Sequence, residues 1–290
     1  MRIYAVIITF NPVIANVTNL VKTLLLQNVK VVIVDNNSKN KSEFDSFIST
    51  HIIFLEDNLG IAKAQNVGID YAKNDNAEYI VFFDQDSTIC DNFISDLMFD
   101  YRELENNGVK VGSIGPRFMD ERFSFFYPSI NYNNGKRERV DTENIIEPTK
   151  STLLISSGSL VSISTLLSVG LMRENYFIDY VDTEWCFRAE SKGYSNYISS
   201  RAVMKHAVGD NMIENRFFKT PIHSPFRRYY ITRNAFYMLK EPHIPKGVAF
   251  RQIIVNFVQQ MIIIFHEKSK KSYVISFFSG IRDGLKYILR

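Results

Sequence analysis

Asp84, Gln85 and Asp86 follow directly on the apolar run YIVFF at residues 79–83. A strand alternates faces at every residue, so two carboxylates two positions apart project the same way from its end. Like charges held side by side are costly unless a cation joins them. An all-oxygen set suits Mg2+ or Mn2+, and Mg2+ binds through one or two carboxylates together with substrate phosphates. A solvated acidic turn is the plain alternative. An EF-hand loop is excluded, because no glycine stands where its sharp turn needs one.

Three further groups carry chemistry. FIDYVDTEWCFR at residues 177–188 collects Asp179, Asp182 and Glu184. On a helix, Asp179 and Asp182 share a face and Glu184 points elsewhere. Acids near a helix N-terminus also serve as ordinary dipole partners. A hydroxyl nucleophile needs a general base within hydrogen-bond reach, and an ionised Asp suits that task. Arg227, Arg228 and Arg233 bracket Tyr229 and Tyr230. The planar guanidinium fork matches phosphate oxygens, although helix-surface salt bridges explain any one of the three equally well. Asp35, ending VVIVDNNS, can accept a ring imide N–H of uracil or thymine, or simply form a turn.

The elements that must position these residues are legible as strand–helix alternation. Residues 4–9, 29–34, 52–55 and 79–83 read as buried strands, and residues 13–27 and 60–71 as helices between them. Continuous β-branched runs imply a parallel sheet covered on both faces. Ligands of such sheets bind beyond the carboxyl ends of the strands, where the polar residues above lie. Residues 110–116, 151–161 and 197–205 are expected as further strands, 131–147 as a polar loop, and 177–193 as a helix. Three helices are expected at 229–239, 248–265 and 272–289. No GxGxxG or GxxxxGK[ST] follows any strand, which disfavours dinucleotide binding and a P-loop.

Composition sets the outer bounds. With 290 residues, 46% of them hydrophobic, and a net charge of +3, the chain can bury a sizeable core and is no general nucleic-acid binder. Cys90 and Cys186 match no metal-ligand spacing, which suits reduced thiols in a cytoplasmic setting. Residues 257–265 form the longest apolar candidate for a membrane, interrupted by Gln259 and Gln260, so no spanning helix is expected. From residue 245 onward eight bases face only Glu267 and Asp283, so the basic charge is concentrated at the C-terminus. That fits either an anionic membrane face or a solvated surface packed on the catalytic domain or a second subunit.

The ordered set VIITFNP, VIVDNNS, NLGIAKAQNVGIDYA, FFDQDS and DYVDTEWCFRAESKGY resembles the family 2 glycosyltransferases of the GT-A fold. The tail, with His206, Gly209 and RRYYITRN, resembles their bacterial rhamnosyltransferase branch, and the likeness spans residues 3–240. It implies an α/β, mixed-sheet catalytic domain over 1–240, divided at 110 into nucleotide-binding and acceptor-binding halves, with a basic helical extension over 241–290. It also implies inverting transfer from a nucleoside diphosphate sugar, dTDP-L-rhamnose first, to a glycan or lipid-linked acceptor at the inner membrane face. UDP-galactofuranose and UDP-hexoses stay open as donors, and a homodimer stays open as the assembly.

By the same likeness Thr9, Asn11 and Asp35 line the nucleoside pocket, and Asn58, Gly60 and Asn66 shape the diphosphate side. Asp84 and Gln85 lie by the ribose or metal, Asp86 ligates the metal, and His206 ligates the metal or the diphosphate. Asp182 is the base, with Asp179 as the alternative, because Val181 stands where the family's Glu-Asp pair has Glu. Gly158, Ser159, Glu184, Trp185, Arg228 and Arg233 are assigned to acceptor or diphosphate. Two readings compete. DQDST also fits the Asp-x-Asp-x-Thr motif of haloacid-dehalogenase-type phosphatases, with Asp84 as nucleophile, although the expected downstream acidic pair is missing. A non-catalytic binding protein on the same fold is the other.

Overall fold

A computed structural model describes residues 1–47, 49–120, 125–133, 135–205, 212–214 and 219–289. The first half runs β1 (Ile3–Thr9), α1 (Ile14–Leu26), β2 (Lys30–Asp35), β3 (His51–Phe54), α2 (Gly60–Asn74) and β4 (Tyr79–Asp84). It continues through β5 (Thr88–Ile89), α3 (Phe93–Asn106), β6 (Val111–Asp120) and β7 (Phe125–Phe126). Then come β8 (Ser129–Asn133), β9 (Lys136–Val140), β10 (Thr149–Lys150), β11 (Leu160–Ser162) and α4 (Ile163–Val169). The chain closes with α5 (Val181–Ser191), β12 (Ser195–Lys205), α6 (Pro225–Lys240), α7 (Lys246–His266) and α8 (Lys270–Leu289).

The main sheet is ordered β10-β12-β6-β11-β4-β1-β2-β3. β4, β1, β2 and β3 pair in parallel, whereas β11 runs antiparallel between β4 and β6. Every residue of β1 is buried, and its two faces feed different cores. Ala5 and Ile7 pack under α1 and α3, while Val6 and Ile8 pack under α2 and the α4–α6 side. Covering both faces removes the alternation a half-exposed strand would show. Small residues let α2 settle onto the sheet: a Cβ added at Gly68 would lie 2.3 Å from Val6. Register aligns the strand ends, because Thr9 pairs with Asp35 and Ile8 with Asp84.

Three expectations are corrected here. Residues 131–147 are no uniform loop, because β8 and β9 form an antiparallel hairpin. The KRERV strand is almost wholly exposed, so it lacks the apolar alternation that signals a strand. Residues 151–161 are mostly irregular, and only Leu160–Ser162 is strand. The helix expected from 177 starts at Val181, because Phe177, Asp179 and Tyr180 all take left-handed backbone. Helix α3 was not anticipated.

The C-terminal helices are packed on α6. Gly280 and Gly284 make this possible: a Cβ would lie 2.7 Å from the Tyr229 carbonyl at the first and 2.7 Å from Phe236 Cβ at the second. Helix α7 qualifies the expectation about membranes. It is long and apolar enough, by length and composition, to cross a bilayer.

Candidate functional site

Beyond the aligned strand ends lies a cleft of about 420 Å³. Thr9 of β1, Asn58, Gly60 and Ile61 at the start of α2, and Asp84, Gln85 and Asp86 after β4 line it. Phe177, Ser224, Phe226 and Arg227 close the opposite side. The acidic turn is built locally. Ser87 N–H donates to the Asp84 carbonyl at 3.2 Å, and Ser157 Oγ accepts from Asp84 N–H at 3.2 Å. Gln85 Oε1 accepts from Phe10 N–H at 2.7 Å and ties the ends of β4 and β1 together. Asn58 Oδ1 accepts from Gly60 N–H at 3.1 Å, which shapes the entry to α2. Gly60 is required there, since a Cβ at its φ of +85 would lie 2.5 Å from the Phe177 carbonyl.

Two signs of charge meet in this cleft. Burial first, and then the Asp86 and Asp182 carboxylates, push the Asp84 carboxyl up to about 6, against Arg227. Both α2 and α6 bring their N-terminal turns to the wall, where the positive ends of the helix dipoles favour anions. Ser224 caps α6, with its Oγ accepting from Arg227 N–H at 3.3 Å, and Pro225 sits at the first turn. The cleft therefore suits a hard cation on the carboxylates and an anion at the helix ends. Among the described residues the candidate donors are all oxygens, and Arg227, the cation that reaches them, is shared with Asp179, so these residues fit Mg2+ or Mn2+.

Asp182, in the first turn of α5, lines a second cavity of about 390 Å³. Apolar walls from Phe118, Tyr127, Leu153, Leu154 and Ile198 surround it, and Arg117 reaches in. Arg117 Nε is buried there without a partner. Burial raises the Asp182 carboxyl, although Thr183 N–H at 2.7 Å and Ser156 N–H at 3.4 Å donate to it and restrain the rise. A carboxyl raised in this way is more basic than a solvated Asp. Asp179 is differently used: Arg227 holds both its oxygens at 2.9–3.1 Å. Between the two, Asp182 is the carboxylate without a cationic side chain fixed on it.

The left-handed stretch at Phe177, Asp179 and Tyr180 is held by one side chain. Asn234 Nδ2 donates to the carbonyls of Tyr176, Ile178 and Asp179 at 2.8–3.0 Å, from a fully buried position on α6. Strained backbone persists only where its surroundings over-determine it. Asn234→Ala should strand the Ile178 and Asp179 carbonyls, since Tyr176 keeps its bond from Arg233, at about 2–4 kcal/mol in all. The unfolding midpoint, followed by circular dichroism, should fall by roughly 5–10 °C. An unchanged midpoint would mean that the clasp contributes nothing.

Several expected site residues have other work. Asp35 has no exposure, and its carboxylate accepts from Thr9 Oγ1 at 2.9 Å, from Ser38 N–H at 2.7 Å and from Ser38 Oγ. It clasps the β1 and β2 ends and does not face the cleft. Asn11 bridges to Ser38 and Lys39 at the surface and is not among the lining residues. Asn66 pairs with Met172 through both its amide atoms and with Glu174, pinning α2 to the segment before α5. Gly158 is a backbone requirement: its φ is +78 and a Cβ would lie 2.8 Å from Pro116. Ser159 lines a small cavity with Asp182 and Trp185, and donates to the Ile155 carbonyl.

Glu184 is fully buried among Arg173, Arg188 and His243, each at 2.8–2.9 Å. With Glu241 and His243 it could superficially pass for a metal site, but Arg173 and Arg188 already neutralise the two carboxylates. Trp185 is buried, with its indole N–H on the Gly170 carbonyl at 2.8 Å. Arg228 is buried against Gln260 and the Asn256 carbonyl, and Arg233 against Asn234 and the carbonyls of Asn175 and Tyr176. The arginine at the cleft is Arg227, one position earlier on the helix. His206 lies outside the described residues.

The model of the family described as glycosyl transferase family 2 matches residues 4–160. The dTDP-rhamnosyl transferase RfbF of Shigella flexneri is 40% identical over 290 residues, covering 99% of this chain and 96% of its own. Among solved structures, S. aureus TarS aligns with a TM-score of 0.58 at 16% identity, over 99% of this chain and 49% of its own. GalNAc-T7 with UDP, GalNAc and Mn2+ aligns with a TM-score of 0.59 at 12% identity, over 93% of this chain and 58% of its own. The chain thus spans roughly half the length of these two enzymes, and the likeness to them is one of fold: GT-A.

Proposed function

The chain belongs to glycosyl transferase family 2, and on that premise we propose that it transfers L-rhamnose from dTDP-L-rhamnose to a hydroxyl of a cell-surface glycan or lipid-linked acceptor, with inversion. The donor follows the near-full-length likeness to a dTDP-rhamnosyl transferase. The chemistry is carried by one observation: consecutive residues join the two sites, with Ser157 Oγ accepting from Asp84 N–H and Ser156 N–H donating to the Asp182 carboxylate. Two cavities, one on each side, are what a donor and an acceptor need.

The nucleoside diphosphate occupies the cleft, with its phosphates towards Arg227 and the first turns of α2 and α6. Asp84 and Asp86 are the residues that would hold a divalent cation. When bound, such an ion offsets negative charge on the departing diphosphate. The acceptor enters the Asp182 cavity, which Arg117 also lines. Asp182 takes the proton of the attacking hydroxyl. The new bond forms between the acceptor oxygen and the anomeric carbon as the bond to the β-phosphate oxygen breaks. No protein nucleophile takes part. Attack from the face opposite the leaving group inverts the anomeric centre, and holding both partners in line supplies much of the acceleration.

The test is transfer or slow hydrolysis of labelled sugars from a panel of nucleoside diphosphate donors. Release of rhamnose from the dTDP donor ahead of UDP-galactofuranose and UDP-hexoses is expected. Preference for a UDP donor would move the assignment to the second sugar class.

A further inference from the structure

Helix α7 buries two amide side chains, beside Val248, Ala249 and Ile263, while it leaves large apolar ones exposed. Its inward residues include Asn256 and Gln260, both buried. Asn256 donates to Tyr180 Oη at 3.1 Å and to the Ile231 carbonyl at 3.2 Å, while Gln260 donates to the Tyr273 carbonyl at 3.0 Å and accepts from Arg228. Its outward residues are Phe250, Ile254, Phe257, Val258 and Phe265, each more than half exposed. Spacings of four, three, one and seven put them on one stripe along the helix. Helix α8 adds Ile275, Phe278, Leu285 and Leu289, also exposed. A folded chain that keeps its amides inside and presents phenylalanines outward is built for an apolar exterior.

The charges around the stripe identify that exterior. Arg251, Lys268, Lys270, Lys271, Arg282 and Lys286 are all exposed on the same two helices or the turn between them. Asp283 is the acid that meets Arg282 and Lys286 there. We propose that the outward faces of α7 and α8 lie on an anionic lipid surface, with the apolar stripe among the acyl chains and the basic rim at the headgroups. Amphipathic helices in the plane of a bilayer combine apolar burial with Lys and Arg in this way. A second copy of the chain fits less well, because a two-fold contact would oppose the same basic rim to itself. A cavity of about 280 Å³ runs from Gln252, Val255 and Gln259 of α7 to Asp179 and Thr183 beside the candidate base. An acceptor carried by lipid would reach Asp182 from that side. Docking itself rests on α7 and α8 alone; only this purpose rests on the proposed transfer.

The test is co-sedimentation of the full chain with vesicles of phosphatidylcholine, pure or mixed with phosphatidylglycerol. The chain should pellet with the mixed vesicles, less so at high salt, and weaken about fivefold for each basic residue removed from the rim. Ile254→Asp with Phe257→Asp should abolish pelleting at any salt, with an unchanged circular dichroism spectrum and unchanged transfer to a water-soluble acceptor. Failure of the wild-type chain to pellet with anionic vesicles would overturn the proposal. So would a concentration-dependent dimer that the same two substitutions disperse, which would assign the face to a second copy. Pelleting without any sugar transfer would leave docking standing and remove only the proposed reaction.

Discussion

Asp182→Asn should reduce kcat for sugar transfer by about 10²–10⁴-fold while leaving the affinity for the donor nucleotide unchanged. The amide keeps the shape, and its single oxygen can still accept from Thr183 N–H, one of the two N–H groups that now hold the carboxylate. It cannot take a proton. Asp182 lines the second cavity and is not a wall of the cleft that takes the nucleotide, so donor binding is a separate observable. In the wild-type enzyme the rate should fall as pH drops through the raised Asp182 value, since only the ionised form serves as base. Asp179→Asn is the control: it loses the ion pair with Arg227 and should weaken donor binding more than it slows the chemical step. The reverse pattern, with Asp182→Asn active and Asp179→Asn inert, would exchange their roles.

The second large effect concerns the carboxylate pair. Asp86→Ala should remove metal-dependent turnover, at several kcal/mol of barrier or on the order of a thousandfold in rate. Asp84 gives the same pair a signature in stability. Its folded-state value of about 6 lies above that of an unfolded Asp. The folded state therefore binds the extra proton, and stability of the metal-free protein falls as pH rises between the two values. Above about pH 6 the whole cost is present, on the order of a few kcal/mol. Asp84→Asn should raise the metal-free unfolding midpoint at neutral pH. Mn2+ should raise the wild-type midpoint and leave that variant nearly unmoved. A variant less stable than wild type without metal would show that the ionised pair is already satisfied within the chain.

The legible parts of this molecule are those where one physical requirement dominates. Buried parallel strands must be continuously apolar, so β1, β2 and β4 stand out, and the residues just past their ends follow from topology. Thr9, Asn58, Gly60, Asp84, Gln85 and Asp86 all line one cleft for that reason. The less legible parts depend on rotation about a helix or on tertiary partners. Arg227, Arg228 and Arg233 look alike in sequence, but only the first lines the cleft, and Arg228 beside it on the first turn of α6 is rotated onto Gln260 and the Asn256 carbonyl. Asp35 and Asn66 stand in the right segments, yet a neighbouring hydroxyl and a distant main chain consume their hydrogen bonds. Asn234 sits within RRYYITRN, and its role appears only once the left-handed turn it holds is known. The exposed apolar face of α7 could have been suspected from Gln259 and Gln260 interrupting an apolar run, since polar residues on one side leave the apolar ones for the other.

The central claim is that Asp84 and Asp86 bind the donor diphosphate through a divalent cation. Calorimetric titration of dTDP into the protein, with Mn2+ and then with a chelator, tests it most directly. Saturable binding in Mn2+ that disappears on chelation, and is absent in Asp86→Ala under both conditions, is the expected result. Equal affinity with and without the cation, or an Asp86→Ala isotherm matching wild type, would contradict it.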